Sequence, residues 1–281
     1  MNDSPTPMRL GVMFVNTYLF MRAHLAATVG IGALLATLDA TISGVANTAA
    51  GDAARSLSEV FSAQQDVALT AETIEQVTAA LPWIALTLLI SFLTQLAATG
   101  VMTLAVVRQR RDEAVQPADL WRGVPWIRLL GANALILGLM LIAAVGPALV
   151  AVAVNSLVFF AIAIVIATTI VIAIGTALAI PAMINEQLAV IPALQRSFVL
   201  VRKRWFRVTW LLVIANLLWS FIGSIISSPI AGLLGILAGG SGSAFGDALR
   251  AITSSIVTGA IALPGIAITT TLIYFARAED Q

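Results

Sequence analysis

Residues 183–210, MINEQLAVIPALQRSFVLVRKRWFRVTW, carry the densest positive charge of the chain on a helical apolar pattern. The cations of this stretch are Arg196, Arg202, Lys203, Arg204 and Arg207. After them no charged residue follows until Asp247. A basic segment directly before a long uncharged run is typical of the cytoplasmic end of a transmembrane helix. The stretch therefore predicts a helix on the cytoplasmic membrane surface, and this assignment orients the remaining segments.

A helix over residues 191–207, with Pro192 in its first turn, separates into two faces at about 100° per residue. The apolar face consists of Ile191, Leu194, Phe198, Val201 and Trp205. Arg196, Lys203 and Arg207 lie almost opposite, so we expect them to contact anionic lipid phosphates or a membrane-protein partner. The alternative is that these cations only orient the chain, since positive charge concentrates in cytoplasmic loops.

The composition is that of an integral membrane protein. Of the 281 residues, 59% are hydrophobic and 10% are charged, whereas charged residues make up about 25% of soluble domains. No polar stretch is long enough for a separate soluble domain, so residues 1–281 predict a single membrane domain. The absence of cysteine and the single histidine, His24, exclude thiolate and histidine metal clusters. We expect no metal, no cofactor and no nucleic-acid partner.

Six apolar segments are long enough to cross a bilayer core, for which about 20 residues suffice. They cover residues 25–45, 80–107, two segments within 129–185, 208–236 and 251–275. The run 129–185 is uncharged and too long for one span, so it predicts a hairpin that turns at Asn155 and Ser156. Basic residues concentrate at 9–22, 108–128, 196–207 and 277. We predict an all-α integral membrane protein with about six transmembrane helices in three hairpins, both termini lying on the cytoplasmic side of the cell membrane.

The first span has two alternative interpretations. Small residues at 46–50 imitate a signal-peptide cleavage site, but the region before the apolar core is long and itself apolar, which favours a retained span. Asp39 lies inside this span, and an intramembrane acid is a functional hypothesis by default. Counted from Arg22 at about 1.5 Å per residue, Asp39 lies about 25 Å along a core about 30 Å thick. We therefore expect it at the outer interface.

Residues 46–79 form the one sizeable polar segment. The acidic side chains Asp52, Glu59, Asp66, Glu72 and Glu75 accompany a single Arg55. The spacing of apolar residues predicts short amphipathic helices within an external acidic loop. Because no calcium-loop spacing is present, a solvated surface is favoured over a cation site.

A polar pathway would require uncharged polar side chains near the middle of the spans. Gln95, Asn133 and Asn216 are the candidates, with Pro264 as the candidate for the broken helix that a transporter site requires. Such amides more often form hydrogen bonds between helices. The glycine-rich residues 239–246 do not match a phosphate-binding fingerprint and are interpreted as a flexible turn.

The chain contains a recurring anchor pattern. Arg22, Arg128 and Arg207 each stand near the start of an apolar run, and each follows an aromatic residue by two positions. This pattern predicts three tandem units, 8–107, 118–184 and 190–276, each with an interfacial amphipathic segment followed by a hairpin. We expect Arg22 and Arg128 to share the lipid or partner contacts of the basic helix. An arginine beside an aromatic residue is also what any inner-interface anchor looks like, so coincidence is the alternative.

Residues 186–207, EQLAVIPALQRSFVLVRKRWFR, resemble the glycerophosphoryl diester phosphodiesterase membrane-domain family. The matching positions are Glu186, Ala193, Arg196, Ser197, Leu200, Arg204, Trp205 and Arg207. The resemblance extends to the alternation of interfacial segments with paired spans and so covers most of the chain. The ending TLIYFARAED, residues 271–280, looks like a shortened form of the tyrosine-bearing terminal segment of the family.

The resemblance implies association with lipid-headgroup metabolism or membrane scaffolding. We expect no catalysis, because a metal-dependent phosphodiesterase needs clustered carboxylates and histidines to hold the ion and transfer protons. The sequence therefore favours a non-enzymatic, lipid-associated scaffold or accessory protein that contacts anionic lipids. A transporter of a small molecule or lipid is the alternative.

Overall fold

The computed structural model describes residues 10–62, 71–153, 158–238 and 243–279. Within these ranges every regular element is a helix and no strand occurs. The helices are α1 Leu10–Ala23, α2 Leu25–Ser62, α3 Ala71–Arg110, α4 Pro117–Gly123, α5 Trp126–Ala153, α6 Val158–Thr176, α7 Ala179–Asn185, α8 Val190–Arg202, α9 Trp205–Leu237 and α10 Ala244–Ala278. The predicted turn at Asn155 and Ser156, and most of the glycine-rich segment 239–246, lie outside the described residues.

Several segments of this described part are long and apolar enough to cross a membrane. They are Leu25–Gly44, Leu89–Arg110, Ala163–Asn185, Trp205–Leu237 and Phe245–Ala278. A sixth is present if Pro117–Gly123 and Trp126–Met140, which are bent by 64° at a short break, count as one span. The prediction of an all-α protein with several transmembrane helices is therefore confirmed at this level.

A short helix directly precedes a long helix at three places in the described chain. His24 separates α1 from α2, a two-residue break separates α4 from α5, and another separates α8 from α9. The order of short, long and long helices recurs three times, with α7 as an additional short helix after α6. This order follows the boundaries of the predicted units, while the triplication itself stays a prediction.

The three anchor arginines do not occupy equivalent positions. Arg128 and Arg207 are the third residues of α5 and α9, which both begin with tryptophan. Arg22 instead lies in the last turn of α1, before the break. The pattern of an aromatic residue and an arginine thus marks the same structural position only in the second and third cases.

The predicted basic helix over residues 191–207 is wrong at its end. The N–H of Arg204 donates to Val201 O at 3.1 Å, which closes α8, and the N–H of Val208 donates to Arg204 O at 3.1 Å as α9 begins. Arg196 therefore lies on α8, Lys203 in the turn and Arg207 on α9, so the three cations do not share one helix face.

The buried face of α8 also differs from the predicted apolar stripe. It consists of Ala193, Leu194, Ser197, Leu200 and Val201, whereas Ile191 is 62% exposed. The reason is tertiary packing, because α8 contacts α5, α6 and α7. This packing places a serine, which is neutral for amphipathicity, in the centre of the buried face.

The acidic segment 46–79 is not a loop with separate short helices where the structure describes it. Helix α2 continues to Ser62 and helix α3 already begins at Ala71. Residues 46–62 contain no proline and are rich in alanine, the strongest helix former, which explains why the helix does not stop at the edge of the apolar run. Residues 63–70 lie outside the described ranges.

The chain folds into two compact units. One comprises Met1–Gly30, Ala98–Trp219 and Ala262–Gln281, and the other comprises Ile31–Ala97 and Ser220–Ile261. In the second unit, half-buried Asp39 accepts a hydrogen bond from Ser91 Oγ at 2.6 Å. The first unit holds the polar network described next.

Candidate functional site

The span formed by α6 and α7 is interrupted at Ala177 and Leu178. The buried hydroxyl of Ser197, on α8, donates to Gly175 O at 2.6 Å and accepts from the N–H of Leu178 at 3.2 Å. A continuous helix would satisfy both backbone groups itself. Within a bilayer each unsatisfied backbone group costs several kcal/mol. Ser197 therefore supplies the hydrogen bonds that the interruption removes.

Gly175 allows α8 to approach the end of α6. A Cβ atom at this position would lie 2.3 Å from Cε1 of Phe198, the residue after Ser197. Any larger side chain would have to displace the phenylalanine ring. The glycine thus keeps α8 within hydrogen-bonding distance of the interruption.

The chain reverses direction between α7 and α8 through three polar residues, Asn185, Glu186 and Gln187, which we name the α7–α8 corner. The N–H of Glu186 donates to Ala182 O at 2.9 Å and caps α7. Gln187 has a φ of 55°, an uncommon conformation for a non-glycine residue. Its side-chain Nε2 donates to Ile184 O at 2.9 Å, so the same residue that makes the turn also satisfies the end of the helix.

One carboxylate oxygen at the corner joins three helices. Tyr274 of α10 is fully buried, and its hydroxyl donates to Glu186 Oε1 at 2.6 Å. Arg196 Nε donates to the same oxygen at 3.1 Å, and Asn185 Nδ2 donates to the hydroxyl of Tyr274 at 3.3 Å. Hydrogen bonds to an ionised acceptor are shorter and stronger than neutral ones. Glu186 therefore ties α7 to both α8 and α10.

Further arginines reach backbone carbonyls around this network. Arg111 Nη2 donates to Asn185 O and Arg128 Nη1 donates to Gln187 O, each at 3.4 Å. Buried Arg277, near the end of α10, donates from Nη2 to Leu200 O of α8 at 3.1 Å. Three guanidinium groups, those of Arg111, Arg128 and Arg196, thus meet three consecutive corner residues that carry one carboxylate. The corner is electropositive at its exposed rim.

The cations between α8 and α9 have a different setting. Arg202, Lys203, Arg204 and Arg207 are all exposed, and we name these four residues the basic turn. Phe206, between two of them, is 81% exposed. A similar pair occurs at the start of α5, where Ile127 is 88% exposed beside exposed Arg128. Large apolar side chains alternating with cations at the start of a span are typical of a membrane interface.

The structure brings together some of the residues singled out from sequence and separates others. Glu186, Arg196 and Ser197 belong to one network, which Arg128 approaches, whereas Trp205 begins α9. Arg22 is exposed on α1. Sequence reasoning missed the partner roles of Tyr274, Arg277 and Arg111. The resemblance stated for residues 271–280 included Tyr274 but assigned it no partner.

The three candidate pathway residues lie in different settings. Asn133 is buried, but its Nδ2 donates to Leu129 O of its own helix at 3.2 Å. Asn216 is exposed on α9. Gln95 is exposed and belongs to the other compact unit. A polar pathway through these amides stays a prediction.

Among the residues that the structure describes, no group of three His, Asp or Glu side chains has the arrangement of a metal site. No family model, no curated protein and no solved structure matches the chain. The chemical character of the corner and the basic turn is therefore what bears on function.

Proposed function

We propose that the protein is a non-enzymatic, multi-pass scaffold or accessory protein of the cell membrane that engages anionic lipids at its cytoplasmic face. The observation that carries this proposal is the basic turn, where exposed cations flank exposed Phe206. Aromatic and apolar side chains in this setting enter the acyl boundary, while the cations contact phosphates. The resemblance of residues 186–207 to the glycerophosphoryl diester phosphodiesterase membrane-domain family supports a lipid-associated role.

The proposed topology places both termini in the cytoplasm, with six spans in three hairpins, because the cations concentrate at residues 9–22, 108–128, 196–207 and 277. Reporter fusions at residues 115 and 200 should behave as cytoplasmic, and a fusion at residue 65 as external. The reverse pattern would invert the proposal.

The lipid proposal is tested by native mass spectrometry of the full chain extracted from membranes of equal parts phosphatidylglycerol and phosphatidylcholine. The triple variant R202Q/K203Q/R207Q should lose selective retention of phosphatidylglycerol, because each cation near an anionic surface contributes about 1 kcal/mol. Three cations acting together correspond to roughly a hundredfold in preference. The matched variant R202K/K203R/R207K keeps the charge and should keep the selectivity. Unchanged selectivity in the first variant, across ionic strengths, would leave the basic turn as a topology signal only.

Transport is the second candidate, because the interruption between α6 and α7 is a feature of transporters that bind solutes at broken helices. Here, however, Ser197 takes up the hydrogen bonds of Gly175 O and the Leu178 N–H that a solute could otherwise use. Substrate-dependent flux in liposomes containing the purified protein would favour transport over the scaffold.

A further inference from the structure

A cavity of about 390 Å³ opens among α1, α3 and α10, within the first compact unit. Its volume lies within the usual range of small-molecule sites, about 300–1,000 Å³. Leu19, Phe20 and Leu272 contribute to an apolar wall, and three polar side chains, Asn16, Gln109 and Arg110, also line it. The cavity therefore has both an apolar and a polar part, as a binding site for an amphiphile requires.

The position of Arg110 corresponds to the depth of lipid headgroups. It is the last residue of the apolar window Leu89–Arg110, and an arginine at the end of a span lies at the membrane interface. A cavity beside it extends from that interface along two span-forming helices, α3 and α10. A lipid of the leaflet can thus enter without leaving its own environment.

The guanidinium group of Arg110 is held in place at the cavity. Its Cζ lies 4.1 Å from the centre of the Phe275 ring, and its Nη1 donates to Glu279 Oε1 at 2.9 Å. The guanidinium group therefore already binds one oxyanion of the chain itself, and Arg110 also lines the cavity. The Arg110 and Glu279 side chains are 46% and 62% exposed, so their ion pair is weak and another anion can replace the carboxylate.

We propose that this cavity binds one anionic membrane phospholipid. Its phosphate is held by Arg110, with Gln109 and Asn16 as further donors, and one acyl chain lies against Leu19, Phe20 and Leu272. This site rests on the proposed function and makes it more specific. The basic turn is proposed to attract anionic lipids in general, whereas the cavity is proposed to retain a single lipid molecule.

The test counts phosphatidylglycerol and phosphatidylcholine retained by the full chain after mild extraction from an equal mixture, using native mass spectrometry. R110Q should lower the ratio of retained phosphatidylglycerol to phosphatidylcholine by about tenfold, since a hydrogen bond to a charged group is lost. R122Q removes the same charge from an exposed position outside the cavity lining and should leave the retained lipid in place. E279Q removes the competing carboxylate and should raise the ratio, by up to about fivefold. A rise cannot come from misfolding.

A second pair of variants tests the apolar part of the cavity. Ala23 lines the cavity, so A23F should fill it and abolish retention of the single lipid, whereas A26F places the same ring on an exposed position outside the lining. Retention unaffected by A23F, or equal effects of R110Q and R122Q, would overturn the site. Binding of inorganic phosphate that depends on Arg110 but not on Ala23 would likewise overturn the lipid assignment.

If R202Q/K203Q/R207Q lowers selectivity while A23F and R110Q do not, the cavity site fails and the proposed function stands. If the basic-turn variant has no effect while A23F and R110Q do, the cavity site stands alone.

Discussion

The α7–α8 corner and the basic turn lie close together in sequence and are both rich in cations, yet they differ in what their cations contact. At the corner Arg196 donates to a carboxylate that a fully buried tyrosine also binds. In the basic turn Arg202 and Lys203 are exposed beside an exposed phenylalanine. Charge density alone therefore does not separate cations that hold helices together from cations that are exposed at the surface of the protein. Contacts from distant segments make the distinction.

The largest change in the free energy of unfolding is expected from removing the hydroxyl of Ser197. In S197A two buried backbone groups, Gly175 O and the N–H of Leu178, lose their partner. An unsatisfied buried group costs about 1–3 kcal/mol, so we expect a loss of about 3 kcal/mol in the free energy of unfolding. Thermal and denaturant unfolding in detergent would measure it.

Ser224 offers the matched control, because it is exposed and its hydroxyl donates only to Ser220 O of its own helix, at 2.9 Å. S224A should change the free energy of unfolding by less than about 0.5 kcal/mol. Equal effects of the two serine variants would mean that the interruption in α6 and α7 is satisfied in another way.

The second prediction concerns the link from α10 to the corner. Y274F removes the hydroxyl that donates to Glu186 Oε1 at 2.6 Å and should cost about 2 kcal/mol, as expected for a hydrogen bond to a charged group. In a double-mutant cycle with E186Q the two effects should be non-additive by about 1 kcal/mol or more, because the residues share one contact. Strictly additive losses would refute a direct stabilising bond.

The smallest changes in the free energy of unfolding are expected when the same substitution, arginine to glutamine, is made at two positions of α8. R196Q removes a partly exposed ion pair with Glu186 and should cost about 1 kcal/mol of unfolding free energy. R202Q, at the exposed end of the helix, should stay within about 0.5 kcal/mol of the wild type. If R202Q proved the more destabilising, the assignment of structural and surface cations would have to be exchanged.

The sequence was sufficient for the fold class because composition and apolar length are local properties. The windows Leu25–Gly44 and Trp205–Leu237 nearly coincide with apolar runs that can be read directly. The interruption at Ala177 and Leu178 has a signal in the sequence that was overlooked, because Pro181 has no N–H to donate to Ala177 O and its ring disfavours a helix through that position. The hydroxyl of Ser197 that satisfies the interruption lies on another helix and was not predictable. The extension of α2 to Ser62 was missed for the opposite reason, because polarity was taken as a sign of a loop although the residues favour helix.

The network at the corner was visible in sequence only as separate residues. The resemblance named Glu186, Arg196 and Ser197 as positions of one motif without predicting their contacts. Periodicity contains no information about Tyr274, which follows Glu186 by 88 positions and lies on another helix. The predicted apolar face of a helix over residues 191–207 was wrong for a related reason. The packing of α8 against its neighbours, rather than its own apolar pattern, determines which face is buried. Tertiary contacts of this kind require an alignment or a structure.

The hydroxyl that completes the interrupted span has a consequence for the order in which the protein is made. Ser197 follows Gly175 by 22 positions, so α6 and α7 leave the ribosome before the residue that satisfies them. Until α8 is synthesised, Gly175 O and the N–H of Leu178 must find other hydrogen-bond partners, such as water. We therefore expect released chains truncated before residue 197 to bury α6 and α7 less securely than released chains that include α8, with protease accessibility as the measure. The membrane integration of α6 and α7 is thus completed only when a residue that is synthesised later, Ser197, reaches them.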